Sequence, residues 1–336
     1  MRLCSLTFAA CLWAGCVSEP QPHDSFRVAQ LRNVTSWACQ LQGLERPGAL
    51  TRIERARTDL IVLDPVRSIR GAGVFPTRTV VSRIRSSPGA ALERKICLAY
   101  LNIGQAEDYR TYWAAGWRAP TDTRRGEPSF LLRRDPDGWE GNFPIAYWDT
   151  RWERILFGSS NALLDQIISD GFDGVYLDWV LGYEDPLVAA AAAEAGIDPA
   201  RAMAELIRDL RKYARARNPY FVIVAQNGAL LPARVPDVYS WIDGVSQESL
   251  SFGGEANADW DDPGSGDRDA VEDREALLLA LREFRRRKIP VFTLDYAQTP
   301  ANVRAALLDS AMRGFVPFVS RTPLDRLPAH LFADEG

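Results

Sequence analysis

The chain has 336 residues, of which 46% are hydrophobic and 25% are charged. This is the composition of an ordinary globular protein, and the length is sufficient for one large α/β domain with insertions. The formal net charge is −4, so the chain offers no electrostatic support for a nucleic-acid partner.

The first residues have the pattern of an export signal. Met1-Arg2 gives a short positive start, and Leu3–Ala14 is an apolar stretch too short to span a bilayer. Leu12–Cys16 (LWAGC) then resembles a bacterial lipobox, although Trp13 stands where leucine is usual. We therefore expect export, with a lipoprotein as the first interpretation and a plain secretory signal with an incidental cysteine as the alternative.

The rest of the chain divides accordingly. We expect residues 1–15 to be the signal peptide, Cys16 to be the lipidation site and residues 17–33 to be a polar tether. One domain would then span residues 34–325, with a tail at 326–336. The mature protein would be a membrane-anchored lipoprotein facing the periplasm or the cell surface, or it would be secreted.

Apolar, strand-like runs alternate with helical segments along this domain, which predicts parallel α/β architecture. The eight predicted strands are Ser36–Gln42, Leu60–Val66, Lys95–Asn102, Gly174–Val180, Tyr220–Asn227, Gly244–Ser249, Pro290–Tyr296 and Phe315–Ser320. The clearest predicted helices are Trp152–Ser169, Pro186–Ala195, Pro199–Arg217, Arg274–Arg287 and Pro300–Arg313. We predict a single (β/α)8 TIM barrel with a long insertion after strand 3.

The predicted insertion spans Gly104–Arg151 and contains one further apolar piece, Pro144–Trp148, which should lie outside the barrel. The segment carries four tryptophans, which either stack on sugar rings or form a small satellite core. They are Trp113, Trp117, Trp139 and Trp148. Two cysteines in strand-like runs, Cys39 and Cys97, are expected to be buried and free, since their strands should not be neighbours.

Six of the apolar runs end in a carboxylate or an amide. They are the runs that end at Asp64, Asn102, Asp178, Asn227, Glu248 and Asp295. α/β barrels place their chemistry at the C-terminal ends of the strands. Each residue alone could be a turn former or a helix N-cap, but six together favour a carboxylate-lined pocket.

The residue types in the sequence allow few kinds of catalytic chemistry. The chain has two histidines, His23 in the tether and His330 in the tail, so His-ligated zinc sites and triads with a histidine base are excluded. No phosphate-binding or dinucleotide-binding loop is present, and we expect no cofactor or bound metal. Glycoside hydrolysis needs little more than two carboxyl groups. Phosphoryl chemistry on a carboxylate-bound Mg²⁺ is the weaker alternative, because few basic groups accompany the acids.

Several segments resemble the endo-α-1,4-polygalactosaminidases, glycoside hydrolase family 114. The most specific are Cys97–Arg110 (CLAYLNIGQAEDYR) and Gly171–Asp178 (GFDGVYLD), followed in order by Ala225–Gly228 (AQNG) and Ser246–Glu248 (SQE). The resemblance covers roughly residues 34–323. It implies a (β/α)8 barrel that cleaves α-1,4-linked galactosamine-rich polysaccharide in an endo-acting manner.

The resemblance also implies that Asp178 and Glu248 are the catalytic carboxylates. In our mechanistic hypothesis Asp178 is the nucleophile and stays ionised, while Glu248 is the acid/base with a raised pKa. Supporting residues could bind sugar hydroxyls or stack on the sugar, with structural packing as the alternative for each. They are Asp64, Tyr100, Asn102, Tyr147, Trp148, Trp179, Asn227, Asp295 and Tyr296.

Two local features are interpreted as structural. Glu107 and Arg110 should form a salt bridge that fixes a loop where a helix opens. The acidic loop 253–269 is more simply a solvated loop than a binding surface. We expect a monomer that meets a membrane only through a lipid on Cys16. Two other classes stay open, namely a non-catalytic, surface-anchored glycan-binding barrel and a divalent-metal hydrolase.

Overall fold

The structure is a computed structural model, and it describes residues 30–72 and 74–332. The strands are β1 (Trp37–Gln40), β2 (Leu60–Leu63), β3 (Ile96–Asn102), β4 (Gln105–Glu107), β5 (Asn142–Pro144), β6 (Gly174–Asp178), β7 (Val222–Gln226), β8 (Gly244–Glu248), β9 (Val291–Tyr296) and β10 (Val316–Ser320). Eight of them form one parallel sheet in the order β1-β2-β3-β6-β7-β8-β9-β10. The sheet curls into a nearly closed barrel, and the Trp37 indole N–H donates to the Val316 carbonyl oxygen (3.0 Å) where its two edge strands meet.

The helices alternate with the strands around the barrel. They are α1 (Ala49–Arg55), α2 (Thr77–Ser86), α3 (Thr150–Leu156), α4 (Leu163–Asp170), α5 (Pro186–Glu194), α6 (Pro199–Arg215), α7 (Leu231–Arg234), α8 (Val238–Trp241), α9 (Arg274–Arg286) and α10 (Pro300–Met312). Four short 3₁₀ helices complete the set, at Val66–Ser68, Val180–Glu184, Pro263–Ser265 and Ala329–Leu331. The eight strands and the TIM-barrel fold are as predicted, and the last four predicted helices are confirmed to within two residues at each end.

The prediction of one helix over Trp152–Ser169 is wrong. The chain leaves the helical conformation after Leu156, and Gly158 has a φ of +107°, which a residue with a side chain rarely adopts. The Gly158 N–H is bound by the Asp165 carboxylate (3.1 Å) from the first turn of α4. The apolar spacing runs through both helices because both pack on the same core, which is why the periodicity did not reveal the break.

Large aromatic side chains fill the barrel. Trp37 lies with its ring centroid 5.9 Å from Tyr176, 5.6 Å from Phe292 and 5.5 Å from Phe318. The Tyr176 hydroxyl lies 2.8 Å from the Ser246 hydroxyl, so these buried polar atoms are paired. This packed interior is the floor on which the strand ends carry their polar side chains.

The chain between β3 and α3 contains a small antiparallel sheet outside the barrel sheet. β4 and β5 pair only with each other and are antiparallel, so the Pro144–Trp148 piece lies outside the barrel sheet. Trp113 and Trp117 pack edge to face at 5.2 Å and join the rings of Phe130 and Phe143. These two tryptophans therefore pack into the main hydrophobic core of the protein rather than into a satellite core.

The packed body reaches beyond the expected domain bounds of 34–325 at both ends. Leu31 is fully buried, and Leu327 and Leu331 are buried as well. The expected signal peptide, the lipidation site Cys16 and most of the tether lie outside the described residues. Cys39 and Cys97 are free and buried, with β2 between their strands. No helix within residues 30–72 and 74–332 is both long and apolar enough to cross a bilayer.

Candidate active site

A cavity of about 820 Å³ opens at the C-terminal ends of the barrel strands. Its wall contains the ends of β6 and β8, where Asp178 and Glu248 stand. Residues from several other strand ends and loops complete it, among them Asp64, Tyr100, Tyr109, Trp139, Trp179, Gln226, Asn227 and Tyr296. Parallel strands end at the same edge of the sheet, so side chains distant in sequence meet here.

Asp178 is held by two hydrogen bonds. The Tyr100 hydroxyl donates to one carboxylate oxygen (2.6 Å), and the Trp179 backbone N–H donates to the other (2.7 Å). β3 and β6 are paired with Asn102 opposite Asp178, which brings Tyr100 within reach from the neighbouring strand. Trp179 takes a left-handed φ of +59°, so the strand turns sharply after Asp178. The carboxylate is thus fixed at the point where the strand ends.

Glu248 is held by three side chains from neighbouring strands. The amide groups of Gln226 (2.7 Å) and Asn227 (3.3 Å) donate to one carboxylate oxygen, and the Tyr296 hydroxyl donates to the other. Asn227 also accepts the backbone N–H of Glu248 through its side-chain oxygen (2.9 Å). These donors from β7 and β9 leave Glu248 little freedom to rotate.

Burial perturbs the pKa of both carboxyl groups. Burial, and then the negative charge of Glu248, raise the pKa of Asp178 to about 7, although the bonds from Tyr100 and Trp179 oppose this. Burial also raises the pKa of Glu248, against the bonds from Tyr296, Asn227 and Gln226. Within the described part of the chain, neither carboxylate forms a salt bridge. We expected Asp178 to stay ionised, whereas a pKa of about 7 places its ionisation close to neutral pH, because the hydrogen bonds only partly offset its burial.

Asp178→Asn is expected to stabilise the fold at neutral pH but not in acid. The pKa of Asp178 is about 7 in the folded protein, against an ordinary value of 3.8. Between those pH values the folded state keeps a proton that the unfolded chain has released, so the free energy of unfolding falls as the pH rises. Asparagine cannot ionise. The gain over wild type should grow from about pH 4 to pH 7 and reach roughly 2–4 kcal/mol by about pH 8, as measured by urea unfolding.

The control is Asp259→Asn, which removes a carboxylate from an exposed position on the cavity rim. Its effect on the unfolding free energy should stay within about 0.5 kcal/mol at each pH. A gain for Asp178→Asn that is the same in acid and at neutral pH would contradict the electrostatic explanation.

A buried ion triad lies at the cavity edge. Arg110 is 2% exposed, and its guanidinium donates to both oxygens of Asp64 (2.7 and 2.8 Å) and to both of Glu107 (2.8 and 3.2 Å). The Ser68 hydroxyl accepts a further bond from Arg110 (2.8 Å). The expected Glu107–Arg110 salt bridge is thus present. It joins Glu107, the last residue of β4, to Arg110 in the turn that follows, and no helix begins there. Asp64 is the third member of the group.

A chain of hydrogen bonds links the rim to Asp178. The Asn102 amide donates to Gln105 (3.1 Å) and lies 3.4 Å from the Tyr100 hydroxyl, which binds Asp178. Gln105 in turn donates to Asp135 (2.5 Å), whose other oxygen accepts two backbone N–H groups of the following loop. The loop that carries Trp139 is therefore connected to Asp178 at the floor of the cavity.

The sequence model of glycoside-hydrolase family GH114 matches residues 19–330, which is most of the chain. The chain belongs to this family. It is therefore a glycoside hydrolase by descent, and the resemblance seen in its motifs is confirmed. An uncharacterized protein of Deinococcus radiodurans is 33% identical over 313 residues, which cover 93% of this chain and 88% of that protein.

Two solved structures show the same barrel. The glycoside hydrolase domain of PelA from Pseudomonas aeruginosa superimposes with a TM-score of 0.57 at 19% identity and covers 88% of this chain and 97% of that domain. Ega3 of Aspergillus fumigatus, in a complex with galactosamine, gives a TM-score of 0.57 at 16% identity and covers 87% of this chain and 93% of that one. At these sequence identities, the structural similarity establishes the fold of the present protein.

Four residues expected to bind substrate do not line the cavity. Tyr147 is buried and donates its hydroxyl to the Pro199 carbonyl (2.8 Å), and Trp148 packs edge to face on it at 5.0 Å. Asp295 is fully buried and accepts the backbone N–H groups of residues 251 and 252. Asn102 accepts those of residues 104 and 105. The polar atoms of Tyr147, Asp295 and Asn102 thus bind backbone groups rather than face the cavity.

The remaining candidates of the GH114 site do meet in the cavity. They are Asp64, Tyr100, Asp178, Trp179, Asn227, Glu248 and Tyr296. Sequence analysis missed Gln226, which is 5% exposed and binds Glu248 directly. Its signal was a polar side chain at the end of an otherwise apolar run. Of the four tryptophans between β3 and α3, Trp139 is the one that lines the cavity.

Two loops meet above the cavity. The Asn257 side-chain amide donates to the Gly138 carbonyl (2.6 Å), which joins the loop after β8 to the loop before β5. Asp137, Glu140 and Asp259 from these loops line the rim. The acidic loop 253–269 is thus part of the cavity wall rather than only a solvated loop. The described residues contain no group of three or more His, Cys, Asp or Glu side chains arranged to hold a metal ion.

Proposed function

We propose that this GH114 protein is an endo-acting hydrolase of α-1,4-linked, galactosamine-rich polysaccharide, with Asp178 as nucleophile and Glu248 as acid/base. The observation that carries the proposal is the placement of these two carboxyl groups in one cavity, each oriented by a tyrosine hydroxyl. Two carboxyl groups that flank a glycosidic bond suffice for its hydrolysis.

In the proposed reaction Glu248 gives its proton to the glycosidic oxygen while an Asp178 oxygen attacks the anomeric carbon. The carbon–oxygen bond breaks, the leaving sugar departs as an alcohol, and a glycosyl ester forms on Asp178. Glu248, now ionised, takes a proton from water as the water oxygen attacks the same carbon and frees Asp178. This double displacement retains the anomeric configuration. Formation of an inverted product would remove Asp178 from the role of nucleophile.

The charge of the cavity favours a cationic sugar. Asp137, Glu140 and Asp259 on the rim add negative charge to that of Asp178 and Glu248. An ammonium group in this field would be attracted, and its positive charge would shift Asp178 towards the ionised form that a nucleophile needs. The crystallised complex of the structural relative Ega3 contains galactosamine, which fits this proposal.

The test is a comparison of hexosamine polymers. We expect the protein to release oligosaccharides of mixed length from partly deacetylated α-1,4-galactosaminan, as measured by reducing ends and mass spectrometry. Chemically N-acetylating the same polymer removes its positive charge and is the matched control, for which the rate should fall at least tenfold. Binding without any product would favour the non-catalytic glycan-binding alternative. Loss of turnover in EDTA would favour the metal hydrolase.

A further inference from the structure

The largest exposed apolar side chains of the described residues are concentrated on two adjacent helices. Leu279 on α9 is 65% exposed, and Leu308 and Met312 on α10 are 60% and 79% exposed. The other large apolar side chains that are similarly exposed, Val74 and Leu187, lie elsewhere in the chain. Single exposed apolar residues are common, but three on neighbouring helices require an explanation.

The three residues form one surface. An Arg274–Asp309 ion pair (2.7 Å) and a hydrogen bond from Arg285 to the Arg313 carbonyl (2.5 Å) hold α9 against α10. Arg282 and Met312 line the same depression between the helices. Leu279 lies one turn before Arg282, and Leu308 lies one turn before Met312, so each pair is adjacent on its helix.

The same surface is strongly basic in an acidic protein. Residues 274–288 contain six Arg or Lys side chains and two Glu, whereas the whole chain has a net charge of −4. Arg282, Arg286 and Arg287 are exposed beside the apolar residues. Glu283 binds the last two of these (2.9 Å each), which still leaves an excess of positive charge. The surface therefore combines apolar side chains with a ring of cations.

This surface lies on the outer wall of the barrel and extends to the C-terminal ends of α9 and α10, where Arg286 and Met312 stand. α9 and α10 run antiparallel to the strands that follow them, so their C-terminal ends lie beside the first residues of β9 and β10. Glu248, in contrast, is the last residue of β8. Leu31 packs near Gly244, the first residue of β8, so the N-terminal part of the described chain joins the barrel at this same end.

We propose that the α9–α10 surface, formed by Leu279, Arg282, Arg286, Leu308 and Met312, docks on an anionic lipid bilayer. Exposed apolar side chains enter the boundary between headgroups and acyl chains, and each nearby Arg gains about 1 kcal/mol from the negative surface potential. The acidic rim of the cavity would be repelled by the same bilayer. The basic surface on the outer wall and the acidic rim thus keep the mouth of the cavity off the lipid and open to a polysaccharide.

The test uses the full mature chain with Cys16→Ser, so that no attached lipid contributes. Flotation with phosphatidylcholine vesicles containing about one third phosphatidylglycerol should show binding at low salt that is lost at high salt. Vesicles of phosphatidylcholine alone should bind at least tenfold more weakly. Arg282→Glu/Arg286→Glu should weaken binding to the anionic vesicles by about 30-fold or more. Leu308→Ser/Met312→Ser should weaken it severalfold.

Matched controls change the same side chains elsewhere. Arg124→Glu/Arg134→Glu alters two exposed arginines between β3 and β5, and Leu187→Ser alters the exposed leucine of α5. Both should bind vesicles like the parent, and all variants should keep the parent's circular dichroism and hydrolytic rate. Equal binding by the Arg282→Glu/Arg286→Glu variant and its control would overturn the proposal. It would also be overturned if the parent failed to bind anionic vesicles, or if Leu308→Ser/Met312→Ser dissociated a dimer without affecting vesicle binding.

Discussion

Asp178→Asn and Glu248→Gln are each expected to lower kcat/KM on polymeric substrate by about 10³-fold or more. Asparagine is too weak a nucleophile to form the glycosyl ester, and glutamine has no proton to give to the leaving oxygen. In each variant the new NH2 group replaces the oxygen that accepts from the Trp179 N–H or from Gln226 and Asn227, so those hydrogen bonds are lost. The replacements are nearly isosteric, and their amide oxygens can still accept the bonds that Tyr100 and Tyr296 donate. The folded structure should therefore persist, which circular dichroism and thermal unfolding will check.

The two roles separate with an activated substrate. When the substrate is an aryl glycoside of an acidic phenol, the phenolate leaves without being protonated. The Glu248→Gln variant should therefore recover much of the rate of the first step on this substrate, whereas the Asp178→Asn variant should not. The control variants are Asp137→Asn and Glu140→Gln, which remove carboxylates from the rim of the same cavity. These should cost less than about tenfold. Near-normal activity of either Asp178→Asn or Glu248→Gln on the polymer would remove that residue from the mechanism.

The raised pKa of Asp178 sets the pH at which this carboxyl group changes from its protonated to its ionised form. Burial raises the pKa of both carboxyl groups, and the negative charge of Glu248 adds to the rise at Asp178. Removing the charge of Glu248 should therefore lower the pKa of Asp178. A cationic sugar should lower it as well, so the acid limb of kcat should lie at lower pH than that of kcat/KM.

The barrel could be predicted from the sequence because its strands are buried on both faces. Runs such as Leu60–Leu63 and residues 222–225 are apolar on consecutive residues and are buried throughout. The rule that chemistry lies at the C-terminal strand ends indicated six candidates, and the family resemblance then singled out Asp178 and Glu248 among them as the expected catalytic pair. β6 and β8 are the fourth and sixth strands of the barrel. Alternate strands of a TIM barrel contribute side chains to the same layer, which agrees with the position of both side chains in one cavity.

The same rule could not separate binding residues from loop anchors. Asn102 and Asp295 stand at strand ends like Asn227 and Glu248, but their oxygens accept backbone N–H groups of the next loop. Both uses require the same residue types, because Asn and Asp are also turn formers. Whether such a residue faces the cavity or anchors a loop depends on the path of the loop. That path depends in turn on contacts between residues that are distant in sequence. The bridge between Asn257 and Gly138 joins loops more than 100 residues apart, which no local pattern could reveal.

Arg110→Met is expected to destabilise the fold by about 3–5 kcal/mol at neutral pH. Arg110 neutralises Asp64 and Glu107, and all three side chains are less than one tenth exposed. Methionine fills a similar volume but leaves two uncompensated buried carboxylates. The loss should shrink in acid, where both can take up a proton. Urea unfolding at about pH 7 and pH 4 measures the difference.

Two comparisons isolate the charge effect. Arg208→Met removes an arginine that pairs with Glu205 and Asp209 on the exposed face of α6, and it should cost less than about 1 kcal/mol. Adding Glu107→Gln to Arg110→Met removes one of the orphaned charges and should recover part of the lost stability. If Arg110→Met proved as mild as Arg208→Met, the triad would contribute no more than a surface ion pair, and the cavity edge at Asp64 would have to be held by packing alone.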